Sequence, residues 1–401
     1  MFRRLANPGT AQAGKRFLSS PPTQNPLQAS FLRGGTSKGI YLHRSHLPSN
    51  QAEWTPIFLG IMGSPDPTYG RQLNGMGGGV SSLSKVCVVG PASGKHRANG
   101  VDVEYTFVQV GIRDSTVDYS GNCGNLSSMI GVYALDAAIC KPSRVDSNGQ
   151  TTVRSFNTNT SKIIDTSFPL SPSGVATLDR PQTEVAGVHG KASQIVLDFV
   201  DPSGARTGKL LPTGSPVNTL DMASIGRAVK ASLVDATNPS VFVSYDELSE
   251  YLPLDAYFQG SQAAEEKVAP VLEEIRQAGA KAMGLDPSAK AQPKIAILSR
   301  PKGGPGDSNA DIVVHALSMG VLHKAVPMTL GLCLGVAAKT EGTLAWDIVK
   351  HSGSNSSGDL VRILHPGGVV EVGAEHRADG TVASAKVVRT GRRLMVGSVY
   401  W

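Results

Sequence analysis

Between residues 74 and 125 the chain carries two polar, glycine-bearing turns, each set against an apolar run. The first, Gly75-Met76-Gly77-Gly78-Gly79-Val80-Ser81-Ser82-Leu83-Ser84-Lys85, leads into Val86-Cys87-Val88-Val89. The second, Ser120-Gly121-Asn122-Cys123-Gly124-Asn125, leads into the apolar stretch 126–138. Glycine lets backbone amides come close to a ligand, and a Gly/Asn/Ser turn ahead of an apolar helix presents amides at a helix N-terminus. Both segments therefore read as anion-binding turns. Each also holds one side chain able to move a proton, Lys85 in the first and Cys123 in the second.

A chain of 401 residues is long for a single core, and two domains are the natural expectation. With 45 glycines, 25 prolines and only 17% charged residues, mixed α and β structure with many tight turns fits better than long helical bundles. The four cysteines, at 87, 123, 140 and 333, lack C-x-x-C spacing and read as reduced thiols. No apolar run approaches the ~20 residues needed to cross a bilayer, so no membrane role is expected.

Of the formal net charge of +6, four units come from Arg3, Arg4, Lys15 and Arg16, ahead of the first acidic residue, Glu53. This basic, acid-free leader, with Phe2, Leu5, Phe17 and Leu18 interleaved, has the character of a mitochondrial transit peptide addressed to the matrix. The alternative is a disordered tail on a cytoplasmic protein. The charge that remains is too small to argue for nucleic acid.

Along the folded part, residues 29–42 predict strand, turn, strand, with Arg33-Gly34-Gly35-Thr36-Ser37-Lys38-Gly39 as a polar turn suited to a carboxylate. Neither this turn nor 75–80 has Walker or dinucleotide spacing, which disfavours nucleotides. Strands are expected at 86–89, 101–110, 151–158 and 195–200, and a buried helix over 126–138 with Cys123 just ahead of it. Residues 201–215 read as a crossover. The second half repeats the order: a turn at 235–239 before a strand at 241–243, an amphipathic helix over 263–284, a strand at 294–298, a polar segment with His315, Ser318, Met319, His323 and Lys324, and an apolar helix over 328–338. The charges of the amphipathic helix, Arg276 among them, are expected on a solvated face. His315 and His323 lack metal-pair spacing, and packing or hydrogen bonding is the expectation for His315. Taken alone, Lys85 reads as a surface cation and Cys123 as a packed thiol.

Together the segments 33–39, Gly63-Ser64-Pro65-Asp66-Pro67, 75–85, 120–125, Lys209-Leu210-Leu211-Pro212-Thr213-Gly214 and 235–243 resemble those of the PrpF family, over about residues 29–397. These are 2-methylaconitate cis-trans isomerases, with 3-methylitaconate and aconitate delta-isomerases as relatives. The resemblance implies an α+β, diaminopimelate epimerase-like fold of two pseudo-symmetric domains, each a sheet wrapped around a central helix. The expected division is a leader 1–28, a domain 29–203 and a domain 204–401, with the last strands returning to the first domain.

It further implies proton transfer without cofactor or metal on an unsaturated di- or tricarboxylate such as cis- or trans-aconitate or 2-methylaconitate. Lys85 falls on the family's position for the principal base and Cys123 on that for the opposing acid. Arg33, Thr36, Ser37, Lys38, Ser82, Ser84, Asn122, Gly124 and Asn125 are the expected substrate contacts from the first half, and Ser318, Met319, His323 and Lys324 those from the second. Neither an amine nor a thiol is a ready base at neutral pH, but partial burial and neighbouring cations lower the pKa of a lysine, and a helix N-terminus lowers that of a thiol. The expected partner is a small polycarboxylate, with a homodimer left open. An amino-acid racemase of the same fold and a non-catalytic carboxylate-binding protein are the competing readings. The racemase requires a second thiol at the other helix start, where the sequence has Met328 and Thr329.

Overall fold

The computed structural model describes residues 24–119, 121–289, 292–302, 310–318, 320–323, 325–351 and 360–401, and the side chains of these except Ser318. The leader up to residue 23, Ser120, Met319 and Lys324 lie outside the described residues. The transit-peptide expectation therefore has no structural counterpart.

In the first half, β1 (Leu27–Gly34) and β2 (Ser37–His43) form a hairpin. Helix α1 (Trp54–Met62) precedes β3 (Lys85–Pro91), which runs parallel to β2. The short helix α2 (Gly94–Ala98) leads to β4 (Val103–Val110), antiparallel to β3 and carrying a two-residue return strand, β5 (Val117–Asp118). Next come α3 (Gly124–Ser127) and α4 (Ile130–Asp136). Strand β6 (Gln150–Asn157) is parallel to β4 and β7 (Lys162–Pro169) antiparallel to β6. A separate hairpin, β8 (Thr183–Val185) and β9 (Val188–Ala192), precedes β10 (Ile195–Val200), antiparallel to β7.

The second half repeats this plan strand for strand. After β11 (Asn218–Met222), β12 (Arg227–Ala236) and β13 (Asn238–Ser244) form a hairpin. Helices α5 (Tyr245–Ser249), α6 (Leu254–Phe258) and α7 (Gln262–Ala282) precede β14 (Lys294–Ser299), parallel to β13. Strand β15 (Ile312–Ser318) is antiparallel to β14 and carries a two-residue return strand, β16 (Val321–Leu322). Helices α8 (Met328–Lys339) and α9 (Leu344–Lys350) follow, and β17 (Leu360–His365) is parallel to β15. Antiparallel β18 (Gly368–His376) and β19 (Val382–Arg389) complete the half, and β20 (Gly391–Val399) crosses back to pair with β1. The ladder between β10 and β19, with Ile195 opposite Arg389, joins the two halves into one sheet.

Each sheet wraps a helix because its strands are apolar on both faces, with alternate residues serving different layers. On β3, Cys87 and Val89 face the inner core around α4, while Val86 and Val88 face an outer layer built on α1, whose Trp54, Ile57, Phe58 and Ile61 are buried. In the second half Phe242 of β13 faces inward to α8, and Val241 and Val243 face outward to α7. Helix α8 is buried from Leu330 to Ala338 and packs closely on β18: a Cβ at Gly335 would stand 2.9 Å from Val372 Cγ2.

Four local expectations change. The turn at 33–39 contracts to Gly35 and Thr36, because Gly34 pairs with Ser37 and Arg33 with Lys38 inside the hairpin. The turn at 235–239 is one residue, Thr237, held at φ 62 between the paired Ala236 and Asn238. The helix expected over 126–138 breaks after Ser127, where the Ser127 and Ser128 hydroxyls donate to the carbonyls of Cys123 and Asn125 in competition with helical pairing. On α7, Arg276 is only 2% exposed; it grips Glu273 and donates to the Pro287 and Ala289 carbonyls, so it belongs to the helix's packed face.

His315 lies flat on Phe258, ring centroids 3.6 Å apart, as the packing expectation required. Burial lowers its pKa to about 4, against a smaller opposing pull from Asp255. The folded protein thus keeps this imidazole neutral between pH 4 and the ordinary value of ~6.5, while the unfolded chain protonates it. Stability should fall as pH drops through that window, and His315→Phe should flatten the slope of urea-derived unfolding free energy there; an unchanged slope would assign it to other groups.

Candidate active site

Lys85 opens β3 on the inward face that also carries Cys87, and it is only 8% exposed. Register places it opposite Gln109 on β4, and the amine donates to Gln109 Oε1 at 2.5 Å. Gln109 Nε2 in turn donates to the Ser84 carbonyl at 2.9 Å and the Ser81 carbonyl at 3.2 Å, which sets the amide with its oxygen toward the lysine. The Phe107 ring centroid lies 5.1 Å from Nζ. Among the described residues the amine therefore rests on a neutral oxygen and an aromatic face, with no carboxylate paired to it.

Cys123 is the residue ahead of α3, half-buried, with Sγ 3.8 Å from Ser37 Oγ. Two close approaches tie its turn to the β1–β2 hairpin and to β3. A Cβ at Gly34 would stand 2.2 Å from the Asn125 carbonyl oxygen, and one at Gly39 would stand 2.7 Å from Leu126 and 2.9 Å from the Lys85 carbonyl oxygen. Lys85 and the helix start thus flank the same glycine. They also act on one buried thiol, Cys87: burial pushes its pKa up first, Cys123 adds to the rise and Lys85 opposes it.

Asn125 knits the turn to the rest. Its Nδ2 donates to Thr36 Oγ1 at 3.0 Å, and its Oδ1 accepts from Arg389 Nε at 3.0 Å. Asn122 Oδ1 accepts from the Tyr105 and Ser127 hydroxyls, both at 3.2 Å. A cleft of about 920 Å³ opens between the halves, lined by Thr36 and Asn125 from the first and by His323, Met328, His365 and Arg389 from the second, with the β8–β9 hairpin along it. Lys85 and Cys123 do not line it. Met328, the first residue of α8, stands between: a Cβ at Gly124 would come 1.4 Å from its Cε.

Other expected contacts are placed differently. Arg33 donates to Gly35 O, Thr390 O and Thr390 Oγ1, so it holds the hairpin to the chain after β19. Lys38 projects over the Phe31 ring, 5.8 Å away, beside the outer layer. Ser84 is buried between Gln72 and the Val110 carbonyl, and Ser82 lies in the one-turn helix Ser81–Leu83 leading to Lys85. His323 is exposed on the cleft wall. A second, smaller groove, about 710 Å³, lined by Gln28, His43, His46, Asp136 and Arg393, lies elsewhere and contains none of these residues. Among the described residues no cluster of three or more His, Cys, Asp or Glu could hold a metal, and no helix is long and apolar enough to cross a membrane.

The model of the PrpF protein family matches residues 24–401. The chain belongs to the PrpF family. A PrpF relative, the 2-methyl-aconitate isomerase of Shewanella oneidensis, is 34% identical, with 94% of this chain and 97% of that one covered. The 3-methylitaconate isomerase of Eubacterium barkeri is likewise 34% identical over 94% and 97%. A crystal structure of methylitaconate-delta-isomerase superposes with a TM-score of 0.82 at 33% identity, covering 94% of this chain and 96% of that one. The fold of this PrpF protein is diaminopimelate epimerase-like, as the paired halves described above require. Its matched relatives are bacterial and lend the mitochondrial expectation no support.

In this PrpF chain the helix starts of the two halves differ. Where Cys123 precedes α3, Pro327 precedes α8, and Cys333 lies fully buried inside that helix with its thiol pushed up to about 12 by burial. Sequence reasoning missed Arg389 and Met328 as site residues. The usable signal for Arg389 was an arginine directly after the apolar pair Val387 and Val388 at the end of a strand.

The contact between Gly124 and Met328 is testable by a double-mutant cycle. Gly124→Ala should displace Met328 and lower stability, and Met328→Ala should absorb the added methyl, giving a coupling of ~0.5–3 kcal/mol by chemical denaturation. Strictly additive effects would mean that the two helix starts do not touch in solution.

Proposed function

We propose that this protein is an isomerase that moves a double bond in an unsaturated di- or tricarboxylate of the aconitate type by taking a proton from one carbon and returning one to another. Lys85 is the base and Cys123 the opposing acid. As a neutral amine, Lys85 removes a proton from the carbon next to the alkene, and the electron pair spreads through the double bond into the conjugated carboxylate. The Cys123 thiol then protonates the far alkene carbon. The ammonium and thiolate left behind return to their starting forms by proton exchange.

The observation that carries this reading is the placement of Lys85 and Cys123 around Gly39 and Cys87 in one half, with Asn125 of the Cys123 turn lining the cleft. The intermediate is a delocalised anion, and such charge is stabilised by donors already oriented toward it. The start of α3 and the Arg389 guanidinium supply positive potential there. The relatives' names, which specify 2-methyl-aconitate and 3-methylitaconate, support an unsaturated carboxylate as the substrate class. A two-thiol racemase is disfavoured, since Pro327 occupies the position that would need the second thiol.

Incubation with cis-aconitate, trans-aconitate, 2-methylaconitate or 3-methylitaconate in deuterated water should give isomerisation with deuterium entry, followed by NMR. Lys85→Ala and Cys123→Ala should each lower kcat by ~10²–10⁴-fold while the fold is retained. Absence of both exchange and interconversion with all four acids would overturn the proposal.

A further inference from the structure

Arg389 ends β19, on the ladder that joins the halves, and is only 7% exposed. Its Nε donates to Asn125 Oδ1 and its Nη1 to the Val388 carbonyl at 2.8 Å. Among the described residues Nη2 has no acceptor and no carboxylate pairs with the guanidinium. Among the described residues the other buried arginine, Arg276, differs: it has Glu273 and two carbonyls for its fork. A guanidinium withdrawn from water without a counter-charge is costly unless an anion completes it, and burial here lowers its pKa to about 10. The same residue lines the cleft, and a Cβ at Gly35 would lie 3.1 Å from its Cδ, so the hairpin turn packs along its stem.

We propose that Arg389 seats a carboxylate of the substrate, with Asn125 holding the guanidinium so that its free Nη2 edge faces the cleft next to the Cys123 turn. The inference rests on the polycarboxylate reading above and adds the residue that fixes the acid's orientation. The Asn125 amide is oriented at both ends, by Thr36 and by Arg389, so the arginine cannot rotate away without breaking the link to the turn. A planar fork suits a carboxylate better than an ammonium can. Its role is therefore binding and alignment, while proton transfer stays with Lys85 and Cys123.

The test is calorimetric titration with tricarballylate, a saturated tricarboxylate that cannot react. The wild-type protein and Lys85→Ala should both bind it, Arg389→Gln should bind at least tenfold more weakly, and Arg389→Lys should fall between. In turnover, Arg389→Gln should raise KM more than it lowers kcat. Should that variant fail to fold, the wild type gives its own reading: tricarballylate should shield the Arg389 peptide from phenylglyoxal, as followed by mass spectrometry. Binding by Arg389→Gln within twofold of wild type, or unchanged phenylglyoxal labelling on saturation, overturns the role of Arg389 alone. If the wild type binds neither tricarballylate nor an aconitate, the polycarboxylate reading itself fails, and the seat with it.

Discussion

The first residue of α3 has no side chain because the first residue of α8 occupies its place. Met328 Cε sits where a Cβ of Gly124 would be, so the side chain that opens α8 packs directly on the backbone that opens α3. Everything at the site follows from that approach. It brings the amides and the partial positive charge of α3, the residue ahead of it and the wall of the cleft within a few ångströms of the junction. Any larger residue at 124 would push the halves apart or force Met328 out of its position.

Around this junction the interior holds two basic side chains whose partners are neutral. Lys85 rests on the Gln109 oxygen and Arg389 on the Asn125 oxygen, and in both cases a second bond fixes which end of the amide faces the cation. A carboxylate in either place would have cancelled the positive potential. Neutral acceptors hold the geometry of both, and at Arg389 they leave the charge available to an incoming anion. Met328 lines the cleft and packs on Gly124, the residue after Cys123.

Much of this was legible in the chain. The glycine-serine segment ending at Lys85 and the polar turn around Cys123 are local signals, and so are the apolar runs after them, because glycine density, turn chemistry and hydrophobic periodicity act over a few residues. The duplicated element order was visible as well, and it became a strand-by-strand repeat of parallel and antiparallel neighbours. Where the reading slipped, the cause was cross-strand or long-range. Arg33 and Lys38 looked like turn residues because nothing local shows that Gly34 pairs with Ser37. Arg276 looked solvated because the carbonyls that receive it come from 11 and 13 residues further along the chain.

Sequence alone determined the family, the paired α+β plan and the candidacy of Lys85 and Cys123, since each is written in contiguous residues. Tertiary structure alone decided that Arg389 reaches Asn125 across 264 positions of chain and that Met328 closes on Gly124. Those contacts depend on β10 pairing with β19 and on the direction in which α8 enters its sheet. Such facts arise from how two folded halves meet, and no short stretch of residues encodes them.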